Sequence, residues 1–153
     1  MAQADLSESI QDYLKEIYKL GAGSAAGSER VSTSALARQQ GVADASASAM
    51  VKKLAALGLA EHAPYHGVQL THAGELVALE VIRHHRLLEL YLAETLGIGV
   101  DDVHDEADRL EHVLSEELEA RIDKALGFPT HDPHGDPIPN AQLEWPAEGS
   151  PPG

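Results

Sequence analysis

Cysteine is absent from this chain of 153 residues, so no disulfide, thiolate ligand or thiol nucleophile can form in it. Aromatic residues make up only 4% of the chain while 43% is hydrophobic, so its core must consist mainly of Leu, Val, Ile and Ala. The start of the chain has neither the basic residues nor the apolar run of a signal peptide. Every apolar stretch is interrupted by charges before it reaches the length of a membrane span. We therefore expect a soluble, cytoplasmic protein without a membrane partner.

Basic residues are scarce: 11 Lys and Arg stand against 25 Asp and Glu, which gives a formal net charge of −14. This balance argues against nucleic-acid binding by the chain as a whole, because phosphate contacts need Lys and Arg. The charge is unevenly distributed, however. Residues 1–70 hold six basic and seven acidic side chains, so nearly all of the negative charge lies in residues 71–153. The first half can therefore approach a polyanion, whereas the second half attracts cations.

The region from residue 31 to residue 71 has the pattern of a winged helix-turn-helix. A short helix opens at Ser32 and ends at Gly41, and Asp44 is placed to cap a second helix over residues 45–57. Two short helices around a turn that contains Gly are typical of this motif. Strand-like runs over 59–63 and 68–71 then flank a turn and predict a β-hairpin wing. The inward-facing residues predicted for the second helix are Met50, Val51, Leu54 and Leu57.

The second short helix would be the recognition helix. Small residues near its start permit close approach to base edges, and the lysines that follow suit phosphates. The alternatives are that these are ordinary surface lysines and that the two helices are a hairpin in an all-helical core. The candidate DNA-contacting residues are Arg38, Ser46, Ser48, Ala49, Lys52 and Lys53.

Carboxylates and imidazoles recur at helical spacing in the second half. A first helix is predicted over residues 7–20, capped by Ser7, and two long helices over 71–96 and 101–126. Residues three and four apart share a helix face, and ionised oxygens together with neutral nitrogen are what a divalent cation needs. The alternative is a solvated acidic face. The candidate ligands in these long helices are His85, Glu89, His104, Asp108, Glu111 and His112.

Three functions fit these features. The first is a DNA-binding protein that a metal controls, the second is a helical metalloenzyme, and the third is a winged-helix sensor of a small organic ligand. The chain lacks a His-Glu-x-x-His motif and a second Glu-x-x-His pair, which are signatures of helical metal enzymes. We therefore expect no enzymatic activity and no organic cofactor.

Three segments together carry a resemblance to a known family. They are His85-Arg-Leu-Leu-Glu89, residues 103–113 (VHDEADRLEHV) and residues 132–139 (DPHGDPIP). From about Ser7 to Asn140 the chain resembles the diphtheria toxin repressor family of metal-dependent regulators. The resemblance implies a mainly α fold: a winged helix-turn-helix with a small β-hairpin wing over 1–72, a helical metal-binding and dimerisation domain over 73–140, and a flexible Pro/Gly-rich tail over 141–153. It implies a homodimer that binds palindromic operator DNA near genes for metal uptake when metal is plentiful.

The resemblance also implies two metal sites per subunit. The primary, regulatory site falls on Asp12, Asp108, Glu111 and His112, and the ancillary site on His85, Glu89 and His104.

The chain departs from the iron-type members of this family at two of these positions and from the manganese-type members at Lys15. Iron-type members have a methionine at the position of Asp12 and a cysteine at that of Asp108, and hard oxygen ligands in their place favour Mn²⁺, with Fe²⁺ as the alternative. Manganese-type members have a second carboxylate where this chain has Lys15, so a separate ancillary site is expected rather than a close metal pair. Longer members continue into an SH3-like domain, so this chain is expected to be a short member or a truncated form.

Overall fold

The computed structural model describes residues 6–21 and 30–147, which form two compact units that divide after Ala78. Its mainly helical architecture, with one two-stranded hairpin, confirms the predicted fold class. Within the described ranges, no helix combines the length and apolarity that membrane crossing demands. Residues 148–153 of the predicted tail lie outside the described residues. In chain order the elements are α1 (Glu8–Gly21), α2 (Thr33–Gln40), α3 (Asp44–Ala56), β1 (Ala60–Ala63), β2 (Gly67–Leu70), α4 (His72–Leu96), α5 (Val103–Leu110) and α6 (Glu116–Ala125).

The first unit is built from α1 to β2 and the start of α4. Ser7 caps α1 as predicted, because its Oγ accepts a hydrogen bond from the backbone N of Ile10 at 3.2 Å. Apolar residues three and four apart on the helices point into one core, together with alternate residues of the hairpin. Its fully buried members include Leu14, Leu36, Val51, Leu54 and Val68.

The helix-turn-helix is formed by α2 and α3. Gly41 ends α2 in the left-handed region, with φ at 68°. The N-cap of α3 is Ala43, which makes no side-chain capping bond, so the predicted cap by Asp44 is wrong. Asp44 is instead the first residue of the helix, where its charge complements the helix dipole. The prediction that Leu57 faces inward is wrong: Leu57 is the C-cap that follows α3 and is 49% exposed.

The hairpin follows α3 directly, as predicted for a wing. Its strands pair antiparallel, with Ala60 opposite Leu70 and Ala63 opposite Gly67. Val31 extends this sheet by an isolated antiparallel bridge, since it exchanges two backbone hydrogen bonds of 2.8 Å with Val68. The turn therefore presents residues 64–66 to solvent at the end of a short sheet.

Gly74 lets α4 lie directly against the backbone of Leu59. A Cβ at position 74 would stand 2.0 Å from the carbonyl oxygen of Leu59. Although Ala is the better helix former by about 1 kcal/mol, we expect Gly74→Ala to lower the free energy of unfolding by about 1–3 kcal/mol through overpacking. Urea denaturation measures this effect. In the matched control Gly99→Ala, the new Cβ meets only a side-chain oxygen of Asp102 at 3.5 Å. Equal unfolding midpoints for the two variants would contradict the prediction.

The second unit combines the rest of α4 with α5, α6 and the chain that follows. Its apolar core draws on all four of these parts: Leu87, Leu88, Leu90, Ala107, Ile122 and Ile138. The single helix predicted over residues 101–126 is wrong, because α5 ends at Leu110 and α6 begins at Glu116. Ser115 starts the new helix by accepting a hydrogen bond from the backbone N of Leu118 at 3.1 Å. The five residues between the helices, 111–115, form what we call the ligand turn.

Residues 130–139, here called the strap, run back along α4. Two arginines of α4 hold the strap through its backbone: Arg83 Nη1 donates to the Pro139 carbonyl at 2.9 Å, and Arg86 Nη1 to the Pro137 carbonyl at 2.7 Å. Asp132 folds the strap locally, because its Oδ1 accepts from the backbone N atoms of His134 and Asp136, both at 2.9 Å. Beyond the strap, the Trp145 ring centroid lies 5.8 Å from the guanidinium carbon of Arg86.

Candidate metal centre

His85 lies at the centre of the predicted ligands. Its ring is buried on α4, and its Nδ1 lies 2.7 Å from Glu111 Oε2 and 3.3 Å from Asp108 Oδ1. Its Nε2 lies 3.2 Å from Glu89 Oε1 and 3.2 Å from His104 Nδ1. The structure therefore brings four other predicted metal ligands around the imidazole of His85, from α4, α5 and the ligand turn.

The carboxylates around His85 raise the pKa of its imidazole. Burial alone would lower the pKa of His85, but its hydrogen bonds with Asp108, Glu111 and Glu89 outweigh burial and raise the pKa to about 10. Burial likewise would raise the pKa of Glu89, and the contact with His85 lowers it. At neutral pH the ring is therefore an imidazolium, a positive charge in the midst of three carboxylates. A metal must displace its proton, because only the neutral imidazole is a ligand.

Without added metal, this imidazolium is expected to make the stability of the chain depend on pH. The pKa of His85 rises from its ordinary value of 6.5 to about 10 on folding. Its contribution is therefore fully present below pH 6.5 and is lost as the pH rises to about 10. Urea denaturation in the presence of a chelator, repeated across this range, should show a steeper loss of stability in the wild type than in His85→Gln. Parallel curves would show that His85 is not the group responsible.

Glu111 and His112 follow the end of α5 rather than lying within a continuous helix. Glu111 is the C-cap of α5 and has no exposed surface, and His112 is the second residue of the ligand turn. Glu111 Oε1 lies 3.4 Å from His112 Nε2 while its other oxygen reaches His85. The predicted juxtaposition of Asp108 with Glu111 arises through their shared contact with Nδ1 of His85.

His104 joins this group from one turn earlier on α5. Its Nε2 lies 3.3 Å from Asp108 Oδ2, and its Nδ1 lies 3.8 Å from Glu89 Oε2. Ligand atoms of His85, His104 and Asp108 all lie within 4.8 Å of one another. Two histidines and a carboxylate at this separation can bind one divalent cation.

A second cluster contains two residues that the sequence reasoning did not assign. Ligand atoms of Glu89, Asp132 and His134 lie within 4.8 Å of one another. Among the described residues, Glu89 Oε2 and Asp132 Oδ2 are buried oxygens without a hydrogen-bond partner, and they lie 3.6 and 3.9 Å from His134 Nδ1. Burial also raises the pKa of Asp132. Two desolvated acceptor oxygens beside an imidazole fit a divalent cation, since a cation satisfies both of them.

The remaining predicted residues lie in the first unit. Asp12 is half-buried on α1, and its role as a ligand is an implication of the resemblance alone. Of the candidate DNA contacts, Ser48 is half-buried. The exposed ones are Arg38 on α2 and Ser46, Ala49, Lys52 and Lys53 on α3.

Comparison with known proteins assigns a domain to each half of the chain. Residues 5–68 match the model of the iron dependent repressor N-terminal DNA binding domain. Residues 71–140 match that of the iron dependent repressor metal binding and dimerisation domain.

Individual relatives agree with these matches. The diphtheria toxin repressor of Corynebacterium efficiens is 42% identical over 82 residues, which are 54% of this chain and 36% of that protein. An uncharacterized HTH-type transcriptional regulator of Methanocaldococcus jannaschii is 32% identical over 117 residues, 76% of this chain and 91% of that protein. A solved manganese-dependent transcriptional repressor in complex with manganese superposes with a TM-score of 0.80 at 47% identity, over 92% of this chain and 63% of that one.

The chain thus spans about a third of the length of the C. efficiens repressor and somewhat less than two thirds of the manganese-dependent one. Both domain matches and the similarity along nearly all of the M. jannaschii regulator point the same way. This chain belongs to the iron-dependent, or diphtheria toxin repressor, family of metal-dependent transcriptional regulators.

Proposed function

We propose that this chain is a Mn²⁺-dependent transcriptional repressor that binds palindromic operator DNA as a homodimer when it is loaded with metal. Residues 1–72 would contact the DNA, residues 73–140 would bind metal and pair with a second subunit, and residues 141–153 would be a tail. The observation that carries the proposal is the pair of buried carboxylate oxygens without hydrogen bonds, beside a cluster of histidines and carboxylates. Such a group is costly to bury unless it holds a cation.

The donor set supports Mn²⁺ as the metal. Every candidate ligand is a carboxylate or an imidazole, and the chain contains no cysteine that could supply a thiolate. Carboxylate oxygens suit Mn²⁺, whereas soft sulfur ligands favour its competitors. Fe²⁺ is the alternative metal, because nitrogen and oxygen ligands also accommodate it.

We assign two sites to each subunit. The primary site would use Asp12, Asp108, Glu111 and His112, as the resemblance implies. The ancillary site would use His85, Glu89 and His104, to which the strap adds Asp132 and His134. The contacts of Glu89 with His85 and with His134 support this enlarged ancillary set.

The regulatory step follows from electrostatics. Without a metal ion, the imidazolium of His85 offsets only part of the negative charge of Asp108 and Glu111, and Asp12 would add a further negative charge to the primary site. A cation bound jointly by Asp12 and by the ligand turn would restrict the DNA-binding unit, and so set the spacing of two recognition helices to that of successive major grooves. Metal would therefore bind the DNA-competent state more tightly and shift the population toward it.

Operator binding measured side by side with Mn²⁺, Fe²⁺, Zn²⁺ and no metal tests this function. We expect tight and specific binding with Mn²⁺ and weak binding in the presence of a chelator. A sensor of an organic ligand would respond equally with and without Mn²⁺, and that outcome would overturn the proposal.

A further inference from the structure

His84 is a buried histidine that neither the sequence reasoning nor the proposed ligand sets include. It precedes His85 on α4, and its side chain is 1% exposed. Its Nδ1 lies 3.2 Å from the backbone carbonyl oxygen of Glu111, and its Nε2 lies 2.6 Å from Glu119 Oε2. A backbone carbonyl oxygen only accepts hydrogen bonds, so the ring donates to Glu111 through Nδ1.

The two contacts of His84 lie on either side of the break between α5 and α6. Glu111 is the C-cap of α5 and the first residue of the ligand turn, and Glu119 lies in the first turn of α6. The carbonyl of a helix C-cap has no acceptor role left within its own helix, and a buried one needs a donor from elsewhere. His84 supplies that donor through its Nδ1.

Consecutive residues of α4 thereby fix both ends of one ligand. His84 holds the backbone of Glu111, and His85 holds its carboxylate at 2.7 Å. Glu119 is itself anchored, because Arg83 pairs with it. These contacts, none of which involves a metal ion, hold the ligand turn in a defined position.

We propose that His84 is a positioning residue for the primary metal site: it holds the ligand turn so that Glu111 and His112 are preorganised for the cation. This inference rests on the proposed function. Preorganisation raises metal affinity because ligands that are already ordered lose little conformational entropy when the metal binds. Outer partners of metal ligands typically change metal affinity by about 10- to 100-fold when they are removed.

Two amide variants separate the contacts of the ring. In His84→Asn the amide nitrogen can take the place of Nδ1 and keep the bond to the Glu111 carbonyl. In His84→Gln it can take the place of Nε2, which keeps the bond to Glu119 and loses the carbonyl. Calorimetric titration with MnCl₂ alone should show that His84→Gln weakens the primary site about 10-fold or more and that His84→Asn weakens it less. The ancillary site should keep its affinity in both.

The matched control is Asp123→Asn, which removes a 3.0 Å ion pair with Arg83 in the same buried network without touching the ligand turn. It should lower the thermal midpoint of the metal-free protein and leave both Mn²⁺ affinities unchanged. A merely structural role of His84 would instead weaken both sites alike and make the two amide variants equivalent. That pattern overturns the inference, as does wild-type affinity in His84→Gln.

The remaining outcomes are also informative. If the wild type takes up no Mn²⁺, the proposed function and this inference both fail; if it takes up Mn²⁺ and the variants match it, this inference alone fails. If His84→Gln does not fold, Glu119→Ala replaces it, because it releases the Nε2 side of the ring. Selective weakening of the primary site in that variant supports the positioning role, and unchanged affinity contradicts it.

Discussion

Asp12→Ala is expected to abolish the response of operator binding to Mn²⁺ while the protein stays folded and dimeric. If metal couples to DNA affinity as it does in typical allosteric proteins, Mn²⁺ should tighten operator binding of the wild type by about 5- to 150-fold. Without the carboxylate of Asp12, the cation has no ligand on α1 and binds both conformations equally, so this factor should fall to about 1. Fluorescence anisotropy with labelled operator, with and without Mn²⁺, measures it.

The control for this experiment is Glu16→Ala. Glu16 lies one turn after Asp12 on α1, is also half-buried, and carries the same charge. Operator binding by the Glu16→Ala variant should keep its full response to Mn²⁺, since the resemblance assigns Glu16 no role as a ligand. A normal response in Asp12→Ala would refute a ligand role on α1, whatever the metal affinity of the second unit.

Asp132→Asn should remove the ancillary ion without unfolding the strap. The asparagine Oδ1 can still accept from the backbone N atoms of His134 and Asp136, which keeps the local fold. Its amide nitrogen replaces the buried Oδ2, and an amide nitrogen is not a ligand for a divalent cation. Equilibrium dialysis with Mn²⁺ should show that one of the two proposed sites loses affinity by at least about 10-fold, because it has lost an oxygen donor.

Asp136→Asn serves as the matched variant. Asp136 lies in the same segment and is exposed, so this change alters the net charge equally and leaves the buried oxygens in place. The two variants should differ in bound Mn²⁺ and agree in operator binding without metal. If both retained two ions, the strap would have no place in the ancillary site.

The helix-turn-helix and the wing were predictable because local signals determine them. Ser32 and Gly41 mark the two ends of α2 through a capping bond and a left-handed backbone, and the hairpin follows from alternating apolar residues around a turn. The error at Asp44 was one of register, since Ala43 has the extended backbone of an N-cap and no polar side chain. Signals of this kind locate an element more reliably than they locate its first residue.

The break between α5 and α6 was missed because the apolar periodicity continues through it. Ser115 followed by Glu116 and Glu117 is the signature of a helix start. The leucines on either side of it, however, keep the spacing of one continuous helix. As a consequence, Glu111 and His112 were predicted to lie within a continuous helix, whereas they lie in the ligand turn that follows α5. His84 was missed for the same reason, because its partners, Glu111 and Glu119, lie on either side of a helix break that was not predicted.

Asp132 and His134 could not be assigned from spacing. They lie in a segment of Pro, Gly and Asp without periodicity, so no local rule fixes the direction of their side chains. Contacts distant in sequence fix it instead: the buried Ile138 and the bonds from Arg83 and Arg86 to strap carbonyls. Sites of this type become visible only once the fold is known.

The stacking of Arg86 on Trp145 has a practical consequence. The chain contains one tryptophan, and its indole sits 5.8 Å from a guanidinium on the helix that supplies His85 and Glu89. Light that tyrosine does not absorb therefore excites a single chromophore, and its emission reports on this one place. The molecule carries a native optical probe, so release of the segment around Trp145 from α4 can be followed in real time without attaching a label.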